Sequence, residues 1–209
     1  MPTSGAAQWD ARYAQGSPWS SEPNGTVRQV VGTLTPGRAR DVACGDGRHA
    51  VWLARLGWQV DAVDFSAVAI ESGRRRAAAA ADELVAEGRA LGTIAWTVAD
   101  VATDRPVPFS ADLVLLAYVH LEPERAEATL RLSASAVAPG GILLLVGHDV
   151  SNLEHGTGGP QRPEVLTDPE AVAGVLRDAG LTVERAEVVE RTVHGAERPA
   201  RDAVVIARR

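Results

Sequence analysis

No lysine occurs among the 209 residues; every basic side chain is arginine, so this chain's own side chains cannot perform Schiff-base chemistry. Cysteine is nearly as scarce. The single Cys44 cannot close an intramolecular disulfide and leaves no multi-cysteine zinc or iron–sulfur site, and no metal site is expected. Long apolar runs are missing too: the stretches around Leu113 to Val119 and Ile142 to Val146 fall far short of the roughly 20 residues a membrane helix needs. The N-terminal residues lack a basic segment followed by an apolar one, so no secretory signal is expected and the cytoplasm is the expected location. A basic excess is also lacking. The formal charge of -6 repels a phosphate backbone unless the arginines are segregated, and their one tight cluster, Arg74-Arg75-Arg76, runs into alanines as a solvated helix face would. The expected partner is a small molecule, with no nucleic acid and no membrane, bound by a monomer or homodimer.

What is present fits one globular domain: 22.0 kDa, with 45% apolar and 23% charged residues. Strands and helices alternate along it. Ala39 to Ala43 reads as a strand, followed by a glycine-bearing turn and a helix from about Arg48 to Leu56 that Gly57 stops. Gln59 to Val63 is a second strand, and Ser66 caps a helix running to about Glu87 with a break expected at Gly73. Thr93 to Ala99 and the almost wholly apolar Asp112 to Val119 are strands, the latter covered on both faces. A helix from about Glu124 to Val137 comes next, and Pro139-Gly140-Gly141 turns the chain into a strand over Ile142 to Val146. Thr167 is expected to cap a helix from about Pro169 to Ala179, ahead of two β-rich segments, Thr182 to Val193 and Asp202 to Ala207, that suit an antiparallel pair. Such alternation predicts a doubly wound α/β sheet whose ligand sits at the carboxyl ends of the strands.

Those ends carry the candidate chemistry. Asp41-Val42-Ala43-Cys44-Gly45-Asp46-Gly47 places two glycines where a missing Cβ lets a ligand approach the backbone. Gly45, Gly47 and Ala50 satisfy a dinucleotide fingerprint, and Asp64 follows Gly45 by 19 residues, where a ribose-binding carboxylate belongs. NAD and S-adenosylmethionine (SAM) both fit this spacing. Asp46 inside the turn opposes the two phosphates of NAD, whereas acidic residues suit the sulfonium and ammonium of SAM. Asp100 can accept from an adenine amino group while the Val101 N–H faces a ring nitrogen. Asp64 also suits a helix cap, and Cys44 reads as a small buried filler. His120 and the run Gly147-His148-Asp149 end two further strands and are candidates for a substrate role or for satisfying loop backbone. Ser151 to Pro163 is long and polar enough to cap a substrate or to be mobile. Arg12, Tyr13 and Trp19 precede the first strand without packing periodicity and read as a lid or as surface packing.

The run Asp41 to Ala50, Val63-Asp64-Phe65-Ser66, Ala99-Asp100-Val101 and Pro139-Gly140-Gly141 before a strand together resemble class I SAM-dependent methyltransferases over nearly the whole chain. Trp9-x-x-Arg12-Tyr13, followed by Trp19 and Pro23-Asn24, resembles the N-terminal segment of the tellurite-resistance and thiopurine methyltransferase-like branch. The resemblance implies a doubly wound, seven-stranded, mostly parallel Rossmann-like sheet, with a C-terminal strand inserted antiparallel between the fifth and sixth. Over a single domain of residues 1–209 it implies a lid segment at 1–35, a cofactor-binding core at 36–149, and a substrate loop with the terminal β pair at 150–209. SAM is the implied cofactor, held by Arg12, Trp19, Ala43, Gly45, Asp64, Phe65, Asp100, Val101 and Ala117. Ala43 departs from the family's G-x-G-x-G pattern, and a small shift of the methionine moiety is expected there. The expected function is methyl transfer to a small-molecule acceptor, a thiol or other soft nucleophile, with His120 or His148 as base where the acceptor is an alcohol or amine. An NAD-dependent oxidoreductase and a noncatalytic SAM-binding module are the alternatives.

Overall fold

The computed structural model describes residues 5–16 and 20–209. The chain divides into two compact units, residues 1–104 and 105–209. The first contains helices α1 (Gly5–Tyr13) and α2 (Gly25–Val31), strand β1 (Arg38–Val42), helix α3 (Arg48–Arg55), strand β2 (Gln59–Asp64), helix α4 (Ala67–Ala86) and strand β3 (Ile94–Val98). The second contains β4 (Ala111–Ala117), α5 (Pro123–Ala136), β5 (Val137–His148), α6 (Asn152–His155), a 3₁₀ turn (Pro163–Val165), α7 (Pro169–Asp178), β6 (Thr182–Arg191) and β7 (Ala200–Arg208). The strands are ordered β3-β2-β1 in the first unit and β4-β5-β7-β6 in the second, with helices flanking them. Pairing is parallel from β1 to β3 and between β4 and β5, and antiparallel where β7 enters between β5 and β6. Among the described residues no helix is long and apolar enough to cross a membrane.

Local chemistry explains the elements. Leu113 to Leu116 and Ile142 to Val146 are buried along their length, as strands covered on both faces must be. Ser66 accepts the Ala69 N–H at 3.1 Å and starts α4, and Gly57 at φ +94° ends the turn after α3. Three expectations need correction. Helix α4 runs unbroken through Gly73, because that glycine makes room for a ring: a Cβ there would lie 2.6 Å from Trp96. Asp168, not Thr167, caps α7 by accepting the N–H groups of Glu170 and Ala171, while the Thr167 N–H goes to the His148 carbonyl. Strand β5 begins at Val137, before the Pro-Gly-Gly segment, and its register against β4 shifts between Ala111 and Leu113.

The N-terminal residues also hold more order than their composition suggests. Asn24 caps α2 by accepting from Thr26 and Val27, and its own N–H donates to Nε2 of buried His49 at 3.2 Å. Burial, aided by the Arg48 charge, pushes His49 down to about 3, so the imidazole is the neutral acceptor this bond requires.

The indole of Trp96 is wedged against both Gly47 and Gly73. Gly73→Ala should therefore lower stability by roughly 1–3 kcal/mol, the usual cost of overpacking, despite alanine's better helix propensity. Urea denaturation checks this, and a stabilised variant would show that the ring yields freely.

Candidate functional site

Strand β1 ends in a turn with three successive left-handed positions at alternate residues: Ala43 (φ +55°), Gly45 (φ +55°) and Gly47 (φ +73°). The glycines bear this without cost, but Ala43 pays about 1–2 kcal/mol for its Cβ. Asp64, at the end of β2, fixes the turn from the side. Its Oδ2 accepts the Gly45 N–H and its Oδ1 the Ser66 N–H, each at 2.8 Å. Burial raises its carboxyl above the ordinary value, partly offset by the Ser66 and Gly45 donors. The Phe65 N–H is a further donor, and the carboxylate keeps acceptor capacity for a ligand hydroxyl.

Helix α1 docks beside this carboxylate. Asp10 accepts the Ser66 hydroxyl at 2.6 Å and the Val68 N–H at 3.2 Å, adding a second acidic group at the start of α4. One turn further on, the buried Tyr13 sets its hydroxyl where a Cβ on Gly45 would be, so that position excludes any side chain. Asp41, one residue from the end of β1, is 1% exposed; Ala50 donates its backbone N–H to the carboxylate, yet Oδ2 has no hydrogen-bond partner. Burial, opposed mainly by the Arg48 charge, pushes Asp41 up to about 7. Such a group suits a cationic or hydrogen-donating ligand, as does the carboxylate pair Asp10 and Asp64.

The remaining candidates of this unit sort as follows. Asp100 is half-buried and uses Oδ1 to accept the Ala102 N–H at 3.0 Å, which leaves acceptor capacity, and Val101 beside it is buried. Phe65 is half-buried next to Asp64. Arg12 is exposed, its guanidinium 5.1 Å from the Trp9 ring centroid. Trp19 lies outside the described residues. The Cys44 thiol is buried and pushed well above its ordinary value by that burial, which suits a filler and not a nucleophile. Asp46 requires a revised argument: it pairs with Arg76 of α4 at 2.6 Å, so its charge is neutralised and no longer counts against a ligand with phosphates.

In the second unit Ala117 ends β4, half-buried, followed by Tyr118 in the left-handed region at φ +58°. His120 and His148 come together with parallel rings, 5.9 Å between centroids and 6° between planes. Sequence reasoning missed what surrounds them. Asp202 is fully buried on β7 directly across from His148 in the β5–β7 register, with its Oδ1 3.4 Å from His148 Nδ1. Tyr118 Oη and Arg191 Nε both donate to Asp202 Oδ2 at 2.6 Å. Burial alone would raise the Asp202 carboxyl; donors from His148, Arg191 and Tyr118 outweigh it and hold the group below its ordinary value. The only available sequence signal was a polar residue opening an otherwise apolar C-terminal strand. The loop at 151–163 is anchored: Asn152 is buried, accepts the Arg201 N–H at 2.7 Å and donates to the Gly158 carbonyl at 2.9 Å.

Residues 40–141 match the family model described as a methyltransferase domain. A curated relative, the ribosomal RNA small subunit methyltransferase C of Alcanivorax borkumensis, is 32% identical over 118 residues, which are 54% of this chain and 33% of the relative. The chain thus spans about a third of that protein's length. Among solved structures, the N-methyltransferase NodS of Bradyrhizobium japonicum, in complex with S-adenosyl-L-homocysteine (SAH), superposes with a TM-score of 0.71 at 17% identity over 97% of each chain. TehB of Haemophilus influenzae gives 0.67 at 16% identity over 96% of this chain and 67% of its own. At these identities the two structures speak for a common fold.

The turn at the end of β1 offers a direct test of strain. Ala43→Gly removes about 1–2 kcal/mol of left-handed cost and adds under about 1 kcal/mol of unfolded-state entropy, so the urea midpoint should rise. A lowered midpoint would show that the turn holds Ala43 without strain.

Proposed function

From the premise that residues 40–141 are a SAM-dependent methyltransferase domain resembling the class I and TehB-like enzymes, we propose that this chain transfers a methyl group from SAM to a small-molecule acceptor. The observation that carries the proposal is the acidic, glycine-lined turn of the first unit, where Asp41 and Asp64 are buried beside Gly45. When bound, SAM supplies a methyl group made electrophilic by its sulfonium. Asp64 accepts from the ribose hydroxyls with its remaining lone pairs, beside Phe65. Asp100 and Val101 meet the adenine. The backbone at Ala43 and Gly45 lies along the methionine portion, with Arg12 as the candidate partner of its carboxylate. Holding acceptor and donor in line accounts for much of the rate, out of the roughly 7–11 kcal/mol that strong positioning can provide.

Charge favours a small molecule over RNA as acceptor. The net charge is -6, and the one basic cluster is committed to carboxylates: Arg74 and Arg75 face Glu71, and Arg76 pairs with Asp46. The TehB-like resemblance favours a thiol or another soft nucleophile, which can react as a preformed anion. An alcohol or amine must first lose a proton, for which His120 and His148 are the candidate bases. A cytoplasmic monomer or homodimer completes the reading, consistent with the single, buried cysteine.

Calorimetry with SAH and with NAD tests the cofactor. SAH should bind and NAD should not; tight NAD binding without SAH binding would replace the proposal with an oxidoreductase, and SAH binding without methyl turnover on any acceptor would favour a noncatalytic module. Asp64→Asn should weaken SAH binding roughly 10- to 100-fold, the loss of one or two charge-assisted hydrogen bonds. It should also lower stability, because its amide cannot accept both the Gly45 and Ser66 N–H groups. Unchanged affinity in the folded variant would remove Asp64 from the site.

Asp41 adds a pH dependence. With its carboxyl at about 7, acidification from pH 8 to 6 protonates it and removes a negative charge that favours the sulfonium and ammonium of the donor, so SAM affinity should fall across that range. Asp41→Asn should flatten the profile, and an identical slope in the variant would exclude Asp41 as its source.

A further inference from the structure

The polar end of the antiparallel strands in the second unit is built around one imidazole. His148 faces Asp202 across the β5–β7 pair, Tyr118 at 4.9 Å between ring centroids, and the stacked ring of His120. Gly159 of the anchored loop closes on it: a Cβ there would lie 2.7 Å from His148 Cδ2 and 3.0 Å from Nε2. Arg191 reaches in from β6, its guanidinium 5.7 Å from the Tyr118 ring centroid. The two oxygens of Asp202 are used unequally. Oδ2 receives both short donors, Tyr118 Oη and Arg191 Nε, whereas Oδ1 faces His148 Nδ1 at 3.4 Å and has only a long contact from Arg191, also at 3.4 Å. Burying a carboxylate, a tyrosine hydroxyl and an arginine at a strand end costs desolvation, and a left-handed tyrosine adds strain. Neither is needed to pair β5 with β7, which the apolar residues at 142–146 and 203–207 already do.

We propose that Asp202, oriented by Tyr118 and Arg191, is a positioning residue that holds His148 with its proton on Nδ1 and a bare Nε2. Such a ring serves an acceptor that arrives with a proton to give up, a hydroxyl or a protonated amine. In the step this implies, the acceptor's O–H or N–H bond breaks, the proton goes to His148 Nε2, and the electron pair stays on oxygen or nitrogen as the nucleophile. The imidazolium so formed is balanced by the Asp202 carboxylate across the strand pair. This assignment rests on the methyltransferase reading for its reaction, but its geometry is testable alone.

Nitrogen-15 NMR of the histidine rings at pH 8, with His148 identified by the signal lost in His148→Gln, reads the tautomer directly. The expected result is Nδ1–H; an Nε2–H ring in the wild type overturns the proposal. In Asp202→Asn the amide oxygen stays with the Tyr118 and Arg191 donors, which turns the NH₂ toward Nδ1 and should switch the ring to Nε2–H. Retention of Nδ1–H in the folded variant overturns it. The wild-type spectrum decides even where Asp202→Asn does not fold. SAH calorimetry judges the methyltransferase reading separately: loss of that reading shows as absent binding in the wild type, with the tautomer still reporting on Asp202.

Discussion

The carboxylate of Asp64 ties two turns together. One oxygen holds the turn after β1 through Gly45 and the other the start of α4 through Ser66, so the two strand ends of the first unit are set by a single side chain. Backbone N–H groups at such turns have no helical or sheet partner, and leaving them unpaired in the interior would cost about 1–3 kcal/mol each. Asp10 repeats the device from the N-terminal side, which brings α1 against α4 and Tyr13 against Gly45. A carboxylate that builds a turn and, on the proposed reading, also accepts from a ligand cannot be removed for one purpose alone.

The second unit divides its labour along the strands. The middle of β5 and β7 is apolar and packed, and polarity is confined to the end where His148 and Asp202 pair in register. Concentrating buried polar groups at one point keeps the low-dielectric penalty local: Tyr118 and Arg191 donate to Asp202, and the buried His148 Nδ1, without a hydrogen bond of its own, lies 3.4 Å from the same carboxylate. The anchored loop shields this end through Gly159 and Asn152 without contributing a charge of its own to it.

Periodicity made the fold legible. The alternation of strands with capped helices located most strands and the main helices to within a few residues, because Gly57 and Ser66 are local signals with local causes; the Pro-Gly-Gly segment, read as a turn, instead lies inside β5. Signals that depend on a distant partner were silent or misleading. Gly73 resembled a helix break because the ring that requires it is 23 residues away in Trp96. Helix α1 gave no apolar stripe, since it is fixed by Asp10 hydrogen bonds, and the seven-residue α2, which buries Val27 and Val31 behind its Asn24 cap, was too short to stand out. Spacing singled out Asp64 as a candidate, and its place after a strand singled out Asp100, while Asp202 and Arg191 could not be singled out, because cross-strand register follows from tertiary pairing and not from local pattern. Asp46 was seen as a charge in the turn, but its partner Arg76 lies 30 residues on, within what read as a solvated basic face.

The wedge of Trp96 between Gly47 and Gly73 links three positions that are far apart in the chain. Drift at any one of them is constrained by the other two: a bulkier residue at either glycine becomes tolerable only once the indole has shrunk. Among divergent descendants of this chain, the three should therefore change as a set, and the tightness of the turn after β1 would be inherited through a residue on the third strand.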